Sequence, residues 1–548
     1  MTNKTKKMIV AVMGLALLAG CSGKGNDGKK QADIGDFEPY SKYEEPVTFT
    51  IGRGQRDLDL LPEGDTIEDN TASRFIKEQA NIDVEVAWIS AEVGKKVSLS
   101  LATGDIPDVL VVGRELLQQL VDNDLAADLT EVYEKTASDD LKARLNSTQE
   151  TLMETTTFDG KLRAIPVPKM EYEHSIVWIR KDWVEKVGAK MPETKEDIYR
   201  LARTFVEKDA SGTGETLGLS IGEEVVGHFG ANFELDPLFN ESNAYPRQWL
   251  VDESGKVSYG SNTPETKAVL EELAALYKDG VIDKQMAVRK NDDRVALISS
   301  GKLGIHFDGF WSSKYDLPES VKNDPKAEWV AVNVPKDDNG IFKTYFGRPD
   351  TGNYIVVKKD YAHPEAVMKA LNLNNDFFFG STKEAKAYKE EHLKGQTFAW
   401  FHLPIPVKLA FADANKVNYQ SFVEAVETND GDKLSPDIRP VFDKYQKYAD
   451  GGKVPSNDTV AWGEITAILE GMKATTADDT DIKQVGYFDQ TETMLEKWVN
   501  LEKIEDEMYL KIITGEEPLS YFDQYVKEWK KMGGDQIIEE IQQVMDQK

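Results

Sequence analysis

The chain has a single cysteine, Cys21, among 548 residues. One thiol excludes internal disulfide bonds and metal sites built on cysteine pairs, so the core alone must hold the body together. Long hydrophobic runs are missing as well. The most apolar stretch, residues 8–19, is too short to span a bilayer as a lasting helix.

Positive charge is scarce relative to negative charge. The chain has 66 lysines and arginines against 96 aspartates and glutamates, a formal net charge of -30. This balance argues against a nucleic-acid partner, which requires a basic surface, and favours solubility beside an anionic cell surface. The length predicts two large lobes or several domains.

The first 21 residues have the pattern of an export signal. Three lysines precede the apolar stretch, and the sequence LAGC at residues 18–21 resembles a bacterial lipobox. This resemblance implies a signal peptide over residues 1–20, cleavage before Cys21 and lipidation of its thiol. The protein would then lie on the extracellular face of the bacterial cell membrane. The alternative is an ordinary secretory signal with a chance cysteine. Residues 21–45, which are small, polar and charged, are predicted to form a flexible tether.

The region after residue 46 alternates strand and helix patterns. Residues 47–52, 82–89 and 108–113 are predicted strands, and the segments between them are predicted helices. The third segment is continuously apolar, which is typical of a parallel strand covered on both faces. The fold class predicted is therefore α/β.

Five segments carry a resemblance to a known family. In chain order they read SLATGDIPDVLVV, DGKLRAIPV, IVWIRKDWVEKVG, NYIVVKKDYAHPEAVMKALN and KIITGEEPLSYFDQYVKEWKKMGGDQI. They resemble family 1 extracellular solute-binding proteins of ABC importers, and the last resembles the large subgroup of oligosaccharide-binding lipoproteins.

The resemblance implies a type II periplasmic-binding-protein-like fold with two lobes and a helix-rich C-terminal part. Lobe 1 is predicted to contain residues 46–166 and about 345–395. Lobe 2 is predicted to contain residues 167–344 and about 396–548. Chain crossings near Pro166 and Tyr345 would let the lobes close over a ligand by hinge bending.

The implied function is substrate capture without catalysis. A lipid-anchored monomer would bind an oligosaccharide, acidic or plant-derived, between its lobes and deliver it to the permease subunits of an importer. Two alternatives remain open: a binder of peptide or another small solute, and a surface glycosidase. The sequence contains no H-E-x-x-H helix or P-loop, although a carboxylate pair cannot be recognised among so many acids.

A sugar-binding cleft needs flat aromatic side chains for the C–H faces of the rings and polar groups for the hydroxyls. The leading aromatic candidate is Trp311, which follows a predicted strand in a loop with Asp308, Gly309 and Phe310. For each aromatic residue, core packing is the competing interpretation. The further aromatic candidates are Trp400, Trp88, Trp178 and, more weakly, Trp462. Helix patterns place three others in the core: Trp183, Trp498 and Trp529.

Charged residues at predicted strand ends are candidates for hydrogen bonding to the hydroxyls or a carboxylate of the ligand. Arg53 and Arg56 follow the first strand, whereas Arg348 and Asp350 precede the strand near residue 353. Arginine can make paired hydrogen bonds to such groups. The competing interpretation is that these side chains are solvated loop charges.

One loop resembles the start of a calcium site. Asp209, Ser211 and Thr213 alternate, Gly214 follows them, and Glu215 comes next. Alternating oxygen side chains before a glycine suit a hard cation, but position twelve is Ser220 instead of glutamate. A plain glycine turn is the competing interpretation. The predicted function requires no cofactor, so bound calcium would be structural.

Overall fold

A computed structural model describes residues 37–547, except 56–60, 148–150, 223, 228–231, 347–350, 395, 397, 436, 453 and 488. The predicted signal peptide and Cys21 lie outside the described residues, as do Arg56, Arg348 and Asp350. Among the helices that the structure describes, none has the length and apolarity needed to cross a membrane.

The strands are mostly short. In chain order they are β1 Val47–Gly54, β2 Ile82–Ser90, β3 Val109–Val112, β4 Thr157–Phe158, β5 Lys161–Leu162, β6 Ile165–Pro168, β7 Ile176–Arg180, β8 Trp249–Val251, β9 Val257–Tyr259, β10 Ile305–Asp308, β11 Trp329–Val332, β12 Phe342–Phe346, β13 Thr351–Val357 and β14 Thr480–Gln484.

Helices surround the sheets and dominate the last third of the chain. They are α1 Thr71–Ala80, α2 Val93–Thr103, α3 Arg114–Asp122, α4 Thr130–Thr136, α5 Asp139–Leu145, α6 Thr151–Glu154, α7 Lys181–Val187, α8 Lys195–Glu207, α9 Asp236–Glu241, α10 Pro264–Lys278, α11 Asn291–Ser299, α12 Ser312–Tyr315, α13 Pro318–Asn323, α14 Pro364–Phe379, α15 Lys383–Leu393, α16 Ala414–Thr428, α17 Arg439–Asp450, α18 Thr459–Thr466, α19 Lys473–Thr475, α20 Glu492–Thr514, α21 Tyr521–Trp529 and α22 Asp535–Met545.

The first lobe is built on a five-stranded sheet with the order β2-β1-β3-β13-β6. Strands β1, β2 and β3 run parallel, whereas β13 runs antiparallel to both β3 and β6. Apolar side chains from α1 and α14 cover one face of this sheet, and side chains from α2 and α3 cover the other. The predicted α/β fold is confirmed here, with β1, β2 and β3 as the predicted strands.

The second lobe contains a three-stranded antiparallel sheet with the order β10-β7-β11. Its core also takes in the C-terminal helices, because Trp529 and residues of α20 and α22 pack in the same cluster as β7. Trp529 stacks on Tyr259 with ring centroids 4.9 Å apart. The helix-rich C-terminal part therefore belongs to the core of this lobe.

The chain passes between the two cores three times. Strand β6 lies in the first sheet and β7 in the second, while β12 pairs with β14 before β13 returns to the first sheet. The third passage follows Leu409, which packs in the first core. It runs beside the first passage, where the amide of Glu171 donates to the carbonyl of Ala412 at 2.8 Å.

This third passage lies later in the chain than the sequence predicts. We expected lobe 1 to end at about residue 395, but the chain from Phe398 to Leu409 contributes apolar side chains to the first core. Leu403, Ile405 and Val407 are each at most 3% exposed there. The predicted boundary was wrong here because Pro404 and Pro406 interrupt the apolar alternation, so the stretch does not read as a strand of the first lobe.

Candidate functional site

The carboxyl ends of the parallel strands define one edge of the first sheet. Strand β6 ends at this same edge, and only residues 169–175 separate it from the start of β7. Strand β10 is antiparallel to β7, so its carboxyl end at Asp308 lies opposite Ile176, where β7 begins. The short connection therefore brings two strand edges together, which is where α/β proteins bind ligands.

On the first lobe, Trp88 lies against Gly52 at this edge. The two residues are register partners in the β1–β2 pair, beside an irregularity in β1. A Cβ atom on Gly52 would overlap the six-membered ring of Trp88, so glycine is what allows the ring to lie against the strand. The side chain of Trp88 is partly buried against α2 and β3. Trp88 thus lies at the ligand edge while part of its ring packs against the core, and its contact with ligand stays a prediction.

On the second lobe, Trp311 lies against Gly309 in the same manner. A Cβ atom on Gly309 would overlap the Trp311 ring. Phe310 meets Trp311 edge to face, with ring centroids 5.1 Å apart, and its backbone touches Gly471. Gly471 lies in the wide helical turn Ala467–Met472, and this turn therefore packs against the loop that carries Trp311. Both side chains of the loop are partly exposed.

Trp178 is not a cleft residue. Its side chain is fully buried in the middle strand of the second sheet. Its indole N–H donates to the carbonyl of Gly309 at 3.0 Å, so Trp178 positions the loop that carries Trp311. The prediction that Trp178 contacts ligand was wrong, because all five residues of β7 are buried and the sequence does not reveal that both faces of this strand are covered.

Trp400 and Arg53 lie together. Trp400 is 37% exposed in the short 3₁₀ turn Trp400–His402, and its ring meets that of Phe401 at 5.7 Å. Arg53, only 2% exposed on β1, donates from Nη2 to the carbonyl of Phe401 at 2.7 Å. Arg53 thus ties the aromatic turn to the edge of the first sheet. The expectation that it is a solvated loop charge is excluded.

The core assignments of the remaining tryptophans are confirmed. Trp183 and Trp529 are at most 4% exposed in the core of the second lobe, and Trp498 packs against that core. Trp462, the weakest cleft candidate, is 7% exposed and packs in the cluster behind the second sheet.

Sequence reasoning missed Arg114, the first residue of α3. Its guanidinium forms a bidentate ion pair with Asp489, with nitrogen–oxygen distances of 2.8 and 2.9 Å. Asp489 follows β14 and precedes α20, so this pair joins the two lobes. Arg114 comes two residues after the end of β3, close to the kind of position that singled out Arg53, so this signal was available in the sequence.

A second missed group lies at the connections between the lobes. Burial raises the pKa of Glu173 to about 7, and the positive charges of Lys408 and Lys169 oppose part of that rise. Burial lowers the pKa of Lys408, whereas the negative charges of Asp437 and Glu173 raise it. Among the described residues, Lys408 forms no ion pair. The connections therefore hold a partly buried ammonium group near the ligand edge.

Asp308 faces inward, away from solvent. Its side chain is 2% exposed, and one carboxylate oxygen lies 3.7 Å from Nε2 of the buried His306. Asp316 approaches the same nitrogen at 3.4 Å. Burial alone would lower the pKa of His306, but the two facing carboxylates raise it to about 9. Burial raises the pKa of Asp308 to about 6. Asp308 therefore lies beneath the Trp311 loop and not among its exposed groups.

The loop that resembles a calcium site is closed by its own hydrogen bonds. The Asp209 carboxylate accepts from the Gly214 amide and the Ser211 hydroxyl, each at 3.0 Å. Glu215 forms an ion pair with Lys302 on a neighbouring segment, and Thr213 shares a hydrogen bond with Ser211. Asp209 is the carboxylate around which the loop closes, and a structural calcium ion there stays a prediction.

Two α/β cores joined by three passages, with aromatic side chains on both facing edges, define a two-lobed binding protein. The chain belongs to the family described as bacterial extracellular solute-binding protein, which matches residues 59–373.

Two relatives and one solved structure illustrate the likeness. The chain is 23% identical to the polygalacturonan/rhamnogalacturonan-binding protein YtcQ of Bacillus subtilis (strain 168), over all of both chains. It is 21% identical to the lipoprotein LipO of the same organism, covering 88% of this chain and 90% of LipO. The ABC-transporter substrate-binding protein FusA of S. pneumoniae, an EF-hand mutant in complex with fructo-nystose, aligns with a TM-score of 0.59 and 15% identity. That alignment covers 91% of this chain and 99% of FusA. The predicted type II two-lobed fold is confirmed.

Proposed function

We propose that this protein captures an oligosaccharide between its two lobes and delivers it to an ABC permease. The observation that carries the proposal is the pair of tryptophans Trp88 and Trp311, one on each lobe. Each lies against a glycine at the carboxyl end of a strand. An aromatic face on each side of a closing cleft matches a ligand with two apolar ring faces.

We further propose that the sugar is acidic. Lys408 and Lys169 lie near the ligand edge in a protein whose net charge is strongly negative. A local ammonium group offsets the repulsion that such a body exerts on a carboxylate ligand. The name of YtcQ, which binds polygalacturonan and rhamnogalacturonan, supports this class.

The partners and the location follow from the same proposal. Cys21 is lipidated and holds a monomer at the outer face of the membrane, which the lipoprotein relative supports. The permease recognises the closed form, as proposed by likeness to the transporter component FusA. Capture and delivery need neither catalysis nor a cofactor, and the loop at residues 209–215 acts as a turn.

Calorimetric titration of residues 30–548 with galacturonate oligomers, and with neutral oligosaccharides of the same length, tests the proposal. We expect saturable binding of at least one acidic sugar, with the sugar recovered unchanged by chromatography. Cleavage of the sugar would support the glycosidase instead. Absence of binding to every sugar, together with binding of a peptide, would contradict the proposal.

The charge assignment is tested by Lys408→Met. We expect the variant to lose at least about tenfold in affinity for the acidic sugar, because a charged hydrogen bond contributes about 1.5–3 kcal/mol. Lys433→Met, which removes a lysine whose side chain is 80% exposed, is the control. Equal losses for both lysines, or none for Lys408, would show that Lys408 does not contact the carboxylate.

The anchor is tested by metabolic labelling with a fatty acid. The wild-type chain should take up label in the membrane fraction, and Cys21→Ser should not. An unlabelled protein released into the medium would contradict lipidation.

A further inference from the structure

Beneath the Trp311 loop, three side chains present metal-binding atoms to one another. They are His306 and Asp308 of β10, and Asp316, which follows α12. One ligand atom from each lies within 4.8 Å of the other two. His306 and Asp308 are at most 2% exposed, and the Asp316 side chain is 13% exposed. The cluster is therefore almost closed to bulk water.

The imidazole of His306 is fully buried without a hydrogen bond. Neither ring nitrogen makes a hydrogen bond to the residues that the structure describes, and Nε2 has only two long ion-pair contacts. Its Nε2 atom points at the two carboxylates from 3.4 and 3.7 Å, beyond the 2.7–3.2 Å of an ordinary N–H···O bond. A buried polar group of this kind calls for an explanation, because nearly all such groups in proteins are paired.

We propose that His306, Asp308 and Asp316 bind a divalent transition metal ion, with Zn²⁺ as the best match. Tetrahedral zinc with bonds of about 2.0–2.1 Å separates neighbouring ligand atoms by about 3.3 Å. The two distances from Nε2 are close to that spacing, so small movements of the carboxylates would complete the geometry.

The ligand types decide the choice of ion. Imidazole nitrogen combined with carboxylate oxygens suits zinc and its neighbours, whereas calcium and magnesium prefer oxygen alone. In the metal-bound form the imidazole is neutral, and the two carboxylates balance the charge of a divalent ion.

Asn232 supplies the outer support that metal ligands usually have. Its amide nitrogen donates to Asp316 at 3.0 Å, and its buried Oδ1 has no partner within the described part of the chain. The donated hydrogen bond orients the carboxylate, as outer residues do in known metal sites. A water would supply the fourth ligand of a tetrahedral ion.

The ion would fix the segment that carries Trp311. Asp308 and Asp316 bracket residues 309–315, so one ion would hold both ends of that stretch. This role is separate from sugar binding, and it can be tested without any sugar.

The test uses residues 30–548, purified without a histidine tag, stripped with EDTA and dialysed against Zn²⁺. We expect one zinc per chain by mass spectrometry, together with a rise in the thermal unfolding temperature. Asp316→Asn, which changes the most exposed ligand, should lower the affinity at least a hundredfold. Asn232→Ala should weaken binding about ten- to a hundredfold, as loss of an orienting group does.

His363→Gln is the matched control. It removes a histidine that pairs with Glu365 at 3.1 Å on the surface and should leave the stoichiometry unchanged. Because Asp316→Asn and His306→Gln can affect folding, circular dichroism of each metal-free variant is compared with wild type. Zinc that binds folded Asp316→Asn as tightly as wild type, or no zinc on the wild-type chain, would overturn the proposal.

Discussion

Arg114 and Asp489 form the bidentate ion pair that joins the two lobes beside the ligand edge. They are 375 residues apart in sequence. Arg114 is further held by the ring of Phe158, 5.0 Å from its guanidinium carbon, and by a hydrogen bond to the carbonyl of Thr155. The arginine is 15% exposed and the aspartate 38% exposed. The arginine is thus fixed on the first lobe, and Asp489 is the half of the pair that leaves when the lobes separate.

Breaking this pair should shift the ligand-free protein towards a more open form. We expect Asp489→Ala to increase the radius of gyration measured by small-angle X-ray scattering, because hinge motion separates the two edges. The coupling energy between Arg114→Met and Asp489→Ala in a double-mutant cycle should be about 1 kcal/mol. An unchanged radius of gyration and no coupling would mean that the pair does not hold the lobes together.

Glu505 should be the most sensitive acidic residue in the second lobe. It is fully buried and accepts hydrogen bonds from the hydroxyls of Tyr259 and Ser261 at 2.8 and 2.7 Å. Arg247 lies 3.6 Å away. Glu505→Ala leaves these groups without their acceptor and should cost about 3–5 kcal/mol in the free energy of unfolding. Glu507→Ala, which removes a surface partner of Lys511, should change it by less than about 0.5 kcal/mol. Similar losses in urea titrations of both variants would contradict this role.

His174 should make the protein less stable in acid. Burial lowers its pKa from 6.5 to about 4, while its ring stacks on Phe342 with centroids 5.2 Å apart. Below pH 6.5 the unfolded chain binds a proton here that the folded chain does not. The unfolding free energy therefore decreases as the pH falls from about 6.5 to about 4, by about 2 kcal/mol at pH 5. Chemical denaturation of His174→Gln should show a weaker pH dependence over this range. An equal slope would contradict the prediction.

Gly309 should be essential for the position of Trp311. The added Cβ in Gly309→Ala overlaps the indole ring, so the ring must move and the sugar affinity should fall at least about fivefold, as when the ring is removed. Gly113→Ala at the end of β3 is the control, because its Cβ meets nothing within 4 Å and its φ of -74° suits alanine. Calorimetry on both variants checks this. Equal affinity for both would mean that Trp311 tolerates displacement or does not contact sugar.

Local patterns in the sequence predicted most of the first lobe. The alternation in residues 47–52 and 82–89 and the apolar run 108–113 became β1, β2 and β3. The helix α8 begins at Thr194 with a capping box to Asp197, and Gly104 ends α2 with a left-handed φ of 75°. These features depend on neighbours in the chain, which is why they can be predicted.

The candidate site was only partly predictable, because it depends on contacts between distant segments. Trp178 and Trp311 both lie in or just after apolar segments of the sequence. Only the folded sheet shows that the Trp178 side chain is buried within β7. The Arg114–Asp489 pair and the inward turn of Asp308 towards His306 likewise require the folded arrangement. Arg56, Arg348 and Asp350 lie outside the described residues, so their ligand roles stay predictions.

The central claim is that the sugar binds between both lobes, and one calorimetric comparison tests it most directly. Trp88→Ala and Trp311→Ala are titrated with the best-bound oligosaccharide, beside Tyr521→Ala, a partly buried aromatic on α21. Stacking on an aromatic contributes about 1 kcal/mol or more beyond its area. The account predicts that each tryptophan variant binds at least about fivefold more weakly, with Tyr521→Ala unchanged. Full affinity in either tryptophan variant would contradict binding between the lobes.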